Sequence, residues 1–225
     1  MITGLFKQYF LFLGLIVFFA ACKGIPEEAV VFTNDFEKGV PVNIVNGKVE
    51  EYNGTGVLGR YSEEGFTVEV KDMKAHDMIK ITFDLYIHDT WDGNAVSPNG
   101  KDIWIMNIDR GSVIYASFAN GGCTNCTQSY PDIRPAFFNN IFNFALNKPN
   151  SNAIKTDLPG ACALKDSKGG TSMYRIQRTF LHTASTLDLG CFAGLEDPDP
   201  ANKNCNESWS VDNMRITAID TRELK

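Results

Sequence analysis

Met78-Ile79-Lys80-Ile81-Thr82-Phe83-Asp84-Leu85-Tyr86-Ile87-His88 alternates between two kinds of side chain along its whole length. Ile79, Ile81, Phe83, Leu85 and Ile87 fall on one face, and Lys80, Thr82, Asp84, Tyr86 and His88 on the other. A period of two marks a strand with one face in a core. Residues 66–71 repeat the pattern, as do residues 173–182, where Tyr174, Ile176, Arg178 and Phe180 share a side. Further strand candidates are 30–33, 40–45, 57–61, 103–108, 113–118, 186–192 and 209–218. Turn formers such as Asn46-Gly47, Asn53-Gly54, Asp92-Gly93-Asn94 and Gly169-Gly170 separate them. One short helix is a candidate over 136–146, where Phe138 and Phe142 lie four apart. About ten short strands with regular turns predict an all-β antiparallel sandwich of the jelly-roll type.

Composition agrees with a folded domain. The chain has 225 residues, 44% of them apolar, with 21 Lys+Arg against 27 Asp+Glu and a net charge of -6. That excludes collagen-like and disordered classes, and the acidic balance argues against a nucleic-acid partner. Apolar residues crowd the start: Tyr9 to Ala21 carries no charge and follows the single cation Lys7. This stretch is too short for a bilayer span of about 20 residues and suits the core of a signal peptide. Phe19-Ala20-Ala21-Cys22 resembles the lipobox of bacterial lipoproteins. The resemblance implies cleavage before Cys22 and acylation of its thiol and new amine. Two or more acyl chains hold a protein firmly at a membrane. The expected organisation is a signal peptide over 1–21, a tether over 22–28 and one domain over 29–225. The expected location is the bacterial cell envelope, lipid-anchored, and either periplasmic or surface-exposed.

Five cysteines follow Cys22. An oxidising compartment makes disulfides the default, and an odd number leaves one thiol over. Cys191 and Cys205 flank a polar Gly/Pro excursion, and a bridge between them is the expected pairing. Cys162 could meet Cys123 or Cys126. Cys123-Thr124-Asn125-Cys126 also admits a metal or redox reading, but no second Cys/His pair and no α/β context accompany it.

Two groups of carboxylates stand out. Asn34-Asp35-Phe36-Glu37 and Asp212-Asn213 lie at opposite ends of the chain, yet terminal strands often pair in a jelly roll. Calcium, with six to eight oxygen ligands, would neutralise such a cluster. Asp84, Asp89, Asp92, Asn94 and Asp102 form the second group, around Asp89-Thr90-Trp91-Asp92-Gly93-Asn94. Solvated turn acids are the plain alternative for both.

The string from Phe83 to Asn94, then Asp102-Ile103-Trp104, Ser117-Phe118-Ala119-Asn120, Gln128-Ser129-Tyr130-Pro131, Phe180-Leu181-His182-Thr183-Ala184 and Glu207-Ser208-Trp209-Ser210-Val211-Asp212-Asn213-Met214, resembles a family of exported bacterial β-sandwich modules. They are related to galactose-binding-like carbohydrate-binding modules. The resemblance implies a structural calcium held by Glu37 and Asp212.

Catalytic signatures are thin: there is no Gly-X-Ser-X-Gly elbow, no His-Glu-X-X-His and no phosphate loop. Of the three histidines, His88 beside Asp89 is the candidate for acid–base work. Binding has better material. Trp91 and Tyr130 could stack on sugar rings while Asp92 and Asn94 fix hydroxyls. The expected function is therefore a lipid-anchored, non-catalytic module for a carbohydrate. The alternatives are an adhesion lipoprotein contacting a cell-surface protein, or a polysaccharide lyase or hydrolase.

Overall fold

The computed structural model describes residues 26–95, 101–109, 111–120, 125–131, 145–195 and 202–222. Strand β6 (Met78–Asp89) is the stretch read first, and its apolar phase is wholly buried. Its neighbours are β10 (Lys168–Leu181) on one side and β12 (Glu207–Asp220) on the other, both antiparallel. The sheet continues past β10 to β9 (Lys155–Pro159), and past β12 to β4 (Thr55–Tyr61) and β3 (Val49–Tyr52). Strand β1 (Glu27–Asn34) pairs with the last half of β12, from Glu27 opposite Asp220 to Asn34 opposite Met214. This makes seven strands. Glu27 and Glu28, expected in the tether, are thus already part of the sheet.

The second sheet has five strands in the order β2 (Ile44–Val45), β5 (Gly65–Val70), β11 (Leu187–Gly194), β7 (Ile103–Ile108) and β8 (Gly111–Ser117). All its pairings are antiparallel. A four-residue helix α1 (Lys203–Asn206) leads into β12. Each expected strand is present, although the one over 40–45 shrinks to two residues. Strands β3 and β9 carry no apolar alternation, with Glu50 and Glu51 in one and Lys155 and Asp157 in the other, and sequence reading missed both. The helix expected over 136–146 falls almost wholly outside the described residues, as do residues 1–21, Cys22 and Cys123.

Between the sheets lies one continuous aromatic core. Trp209 sits 5.1 Å from Tyr61 and 5.9 Å from both Phe66 and Trp104, ring centre to ring centre. Trp104 meets Phe118 edge to face, and Phe118 stacks on Tyr130 at 4.7 Å.

The outer face of the seven-stranded sheet is half covered. Lys80 and Thr82 are part-exposed, but Tyr86 and His88 on the same phase of β6 are buried. The cover is the segment 158–164, which runs from the end of β9 into its connection to β10. Leu158 and Ala161 pack on Tyr52, Tyr86 and Met173, and the Tyr52 hydroxyl donates to the Pro159 carbonyl at 2.7 Å. The Asp89 carboxylate accepts the N–H of Cys162 (3.2 and 3.1 Å) and of Leu164 (2.9 Å). His88 is fully enclosed beneath, with its ring nitrogens on Thr171 Oγ1 at 3.0 Å and Ser210 Oγ at 2.8 Å.

Burial pushes the His88 imidazolium down to a pKa of about 3. The unfolded chain then binds a proton near pH 6.5 that the folded chain refuses, so this residue's contribution is lost as pH falls from 6.5 towards 3. Urea unfolding at pH 7 and at pH 4.5 should show wild type losing more stability on acidification than His88→Asn does, by on the order of 2 kcal/mol. Equal losses would remove His88 from the account.

Candidate functional site

The residues expected to bind ligand are part of the fold's interior. Trp91 is fully buried, its Nε1–H donating to the Ser208 carbonyl at 2.9 Å and its ring set edge-on to Phe118. Tyr130 is buried between Phe118 and Tyr174. Asn94 spends its amide on Thr127 Oγ1 (3.1 Å) and the Ala145 carbonyl (3.0 Å), and accepts from Ser117 Oγ at 2.5 Å. Asp92 is half-buried, and its N–H, with that of Gly93, donates to Asp102 Oδ2. Gly93 has φ 73°, and a Cβ there would meet the Thr127 carbonyl at 2.3 Å. The acidic turn is thus built around the buried Asp102 carboxyl, which burial and the nearby Glu207 push well above the usual carboxylate range. Neither Trp91 nor Tyr130 leaves a ring face open to a sugar.

The disulfide is also different from the expected one. Cys205 is bonded to Cys162, 43 residues away, and Cys191 is a free buried thiol. On β11 the inward phase is Leu187, Leu189, Cys191 and Ala193. Cys191 therefore points into the core, whereas Cys205 on α1 lies beside the covering segment, where Ala163 N–H donates to the Cys205 carbonyl. Short separation suggested the wrong pair because the strand's alternation overrides it. Cys126 is disulfide-bonded as well.

Pairing of the terminal strands does bring the two halves of the first acidic group together. The Asp212 carboxyl is pushed up to about 6 by burial, then by Asp84, Glu37 and Asp35. Each member also has its own partners. Glu37 Oε1 accepts from the Gly56 N–H at 2.9 Å and from the Thr55 hydroxyl, and Asp212 accepts from both nitrogens of Asn213. Among the described residues no group of three or more His, Cys, Asp or Glu side chains is arranged to hold a metal ion.

What the sheet does assemble is a row across three strands. Asp212 on β12 stands opposite Asp84 on β6, which stands opposite Arg175 on β10. Arg175 grips Asp84 through Nε and, at 3.1 Å, through Nη2, and Asn213 Nδ2 adds a third bond at 3.0 Å. Asp84 is buried while Arg175 is half exposed, so a fixed guanidinium is presented to solvent. A bulge breaks the β12 ladder between Asp212 and Arg215, and Asn213 within it has φ 52°. Bulges re-aim side chains, and positive φ at a non-glycine residue recurs at functional sites.

Beside this row opens a cavity of about 530 Å³ lined by Thr33, Asn34, Asp35, Lys38, Thr82, Arg175, Asn213 and Arg215. Its lining is hydroxyl, amide, carboxylate and cation, with no aromatic ring. Sequence reading found Asp84, Asp35 and Asp212 but missed Arg175, Arg215, Lys38 and Thr82. The signal for Thr82 and Arg175 was the polar phase of two alternating strands, legible only once the pairing of β6 with β10 is known.

No protein-family description and no curated protein matches this sequence. Solved structures with a similar course of chain include dimeric latent PorU from Porphyromonas gingivalis, at 8% identity and a TM-score of 0.39, over 87% of this chain and 13% of that one. This chain therefore spans about an eighth of the PorU chain. A family 35 carbohydrate binding module from Clostridium thermocellum is 10% identical, over 84% of this chain and 97% of that one, with a TM-score of 0.36. The CBM22-2 xylan-binding domain of Paenibacillus barcinonensis Xyn10C is 14% identical, over 84% and 99%, with a TM-score of 0.34.

Proposed function

We propose that this protein is a non-catalytic carbohydrate-binding module, held in the bacterial cell envelope by acylation of Cys22, and that its ligand lies in the groove over the Arg175–Asp84–Asp212 row. The observation that carries this reading is the groove's lining. Thr33, Asn34, Asp35 and Thr82 offer donors and acceptors of the kind that sugar hydroxyls satisfy, around a guanidinium already fixed by Asp84, which Asn213 holds in turn. Recognition is by hydrogen bonds rather than by stacking. A small number of well-placed polar groups gives a site its specificity, and pre-fixing them lowers the entropic cost of binding.

A glycan array tests the proposal. Binding is expected, and Arg215→Ala with Lys38→Ala should weaken it about tenfold or more, which corresponds to about 1.4 kcal/mol. Both residues are exposed, so the melting temperature should stay within a few degrees of wild type. No glycan signal on a folded protein overturns the carbohydrate reading and leaves a protein ligand. Product release from a polysaccharide overturns the non-catalytic one.

Calcium belongs to the same proposal. The carboxylates it would neutralise are Asp212 and Glu37, whose neighbours Asp84 and Asp35 add negative charge. Millimolar calcium should raise the melting temperature and a chelator should lower it; no shift with either removes the ion. Intact-mass analysis of the mature protein should find an acylated Cys22 and no residues 1–21.

A further inference from the structure

Two histidines that the groove does not use meet at the far end of the sandwich. His76 lies in the connection from β5 to β6, and His182 follows β10 directly. Both are buried, at 4% and 8% exposure, and their rings are joined by a hydrogen bond between His76 Nε2 and His182 Nδ1 at 2.8 Å. The direction of that bond is fixed by chemistry. His76 Nδ1 lies 2.6 Å from the Lys74 carbonyl, which can only accept, so the His76 proton is on Nδ1. Neutral His76 must then accept at Nε2, and His182 must donate from Nδ1. This leaves His182 Nε2 as a bare lone pair, buried and without a hydrogen-bond partner. Asp109 Oδ2, on the turn between β7 and β8, lies 3.5 Å from it.

We propose that His76, His182 and Asp109 form an acid-operated latch: while it is closed the two rings take up one proton between them, on His182 Nε2 facing Asp109, and a second proton opens it. The first proton fills the one unused position and completes a directional chain from the Asp109 carboxylate through both rings to the Lys74 carbonyl. The second has only His76 Nε2 to go to, and that atom is the acceptor of the ring-to-ring bond. Two imidazolium rings carry donors alone, so the bond breaks and like charges are left side by side in a buried site.

Other charges around the pair fit this scheme. Asp220 on β12 senses His76 and is itself gripped by Arg222; Asp77 is taken by Thr221. Asp188 on β11 gives its N–H to Asp109 Oδ1 at 3.0 Å, which leaves Oδ2 for His182. The Thr186 backbone faces His182 as well. Glu27 on β1 and Lys71, Asp72 and Lys74 line the adjoining cavity. Burial first, then His76, holds His182 below the usual imidazole range against the pull of Asp109. Proton uptake therefore belongs to acidification below about pH 6.5.

The latch matters because three connections converge on it. Met73 N–H donates to the Ser185 carbonyl at 2.9 Å, and His182 N–H to the Asp77 carbonyl at 3.1 Å. Met73, Lys74 and His76 also line a cavity of about 280 Å³ against Glu27, Val30 and Ala218. Opening the latch would release that wall, which lies where β1 begins.

The test is a pH titration of the mature protein labelled with nitrogen-15 in histidine, read together with amide hydrogen exchange. At neutral pH His76 is expected as the Nδ1–H tautomer and His182 likewise. On acidification one imidazolium should form in the pair, and formation of the second should coincide with at least a tenfold loss of protection at the Met73 and His182 amides. Asp109→Asn should lower the midpoint of the first proton by about one pH unit. The latch is overturned by a His76 Nε2–H tautomer, by two imidazoliums forming while both amides stay protected, or by a first midpoint that Asp109→Asn leaves unmoved.

Discussion

Trp91→Ala is expected to cost about 3–5 kcal/mol of folding stability, the range for deleting a large aromatic side chain from a packed core. Read as a sugar platform, the same substitution would abolish binding and leave the fold alone; the structure reverses that expectation. The indole is completely enclosed, packs edge-on against Phe118, and is the donor that satisfies the Ser208 carbonyl. Removing it opens a cavity between the sheets and orphans a buried acceptor at once. Trp91→Phe should recover part of the loss, since it refills the volume but not the hydrogen bond. Urea unfolding curves of the three proteins give the comparison. A Trp91→Ala protein as stable as wild type would show that the ring is not where it is described.

Replacing both Cys162 and Cys205 by Ala should lower stability by about 4 kcal/mol on the chain-entropy account, given the 43-residue separation. For a domain of this size that corresponds to a fall of roughly 8–15 °C in melting temperature. A local effect adds to the global one. The bridge pins the segment over His88, Tyr86 and Met173, so its loss should raise hydrogen exchange at Cys162 and Leu164, whose amides bond to Asp89. A melting temperature within two or three degrees of wild type would mean that Asp89 and Tyr52 hold the segment unaided.

Much of the architecture was legible because β6, β5, β10 and, on either side of its bulge, β12 follow one rule, apolar side chains at alternate positions. The rule also located the turns. It failed at β3 and β9, which sit at the sheet's edges, carry charged side chains where an apolar phase would be, and owe their form to their neighbours. The candidate site was half legible. Acids stand out in a turn-rich sequence, and pairing of the terminal strands could be anticipated. Arg175 and Arg215 could not be placed, since what makes them a site is the lateral register of three strands distant in sequence. Trp91 misled for a related reason: an aromatic between two acids reads as exposed, yet Asp102 folds the turn inward and carries the ring with it.

Cys191 has a consequence for how the chain reaches its native state. Sealed in the core with its ionisation suppressed by burial, it cannot attack a disulfide once the sheets have closed. Before closure it is an ordinary nucleophile in the same chain as the Cys162–Cys205 partners, and nearer to Cys205 than Cys162 is. Oxidative maturation is therefore a race in which β11 must dock between β5 and β7 ahead of the oxidant. Cys191→Ser or Cys191→Ala would take the competitor out, raising the yield of correctly bridged material at high oxidant even where it leaves the finished protein slightly weaker.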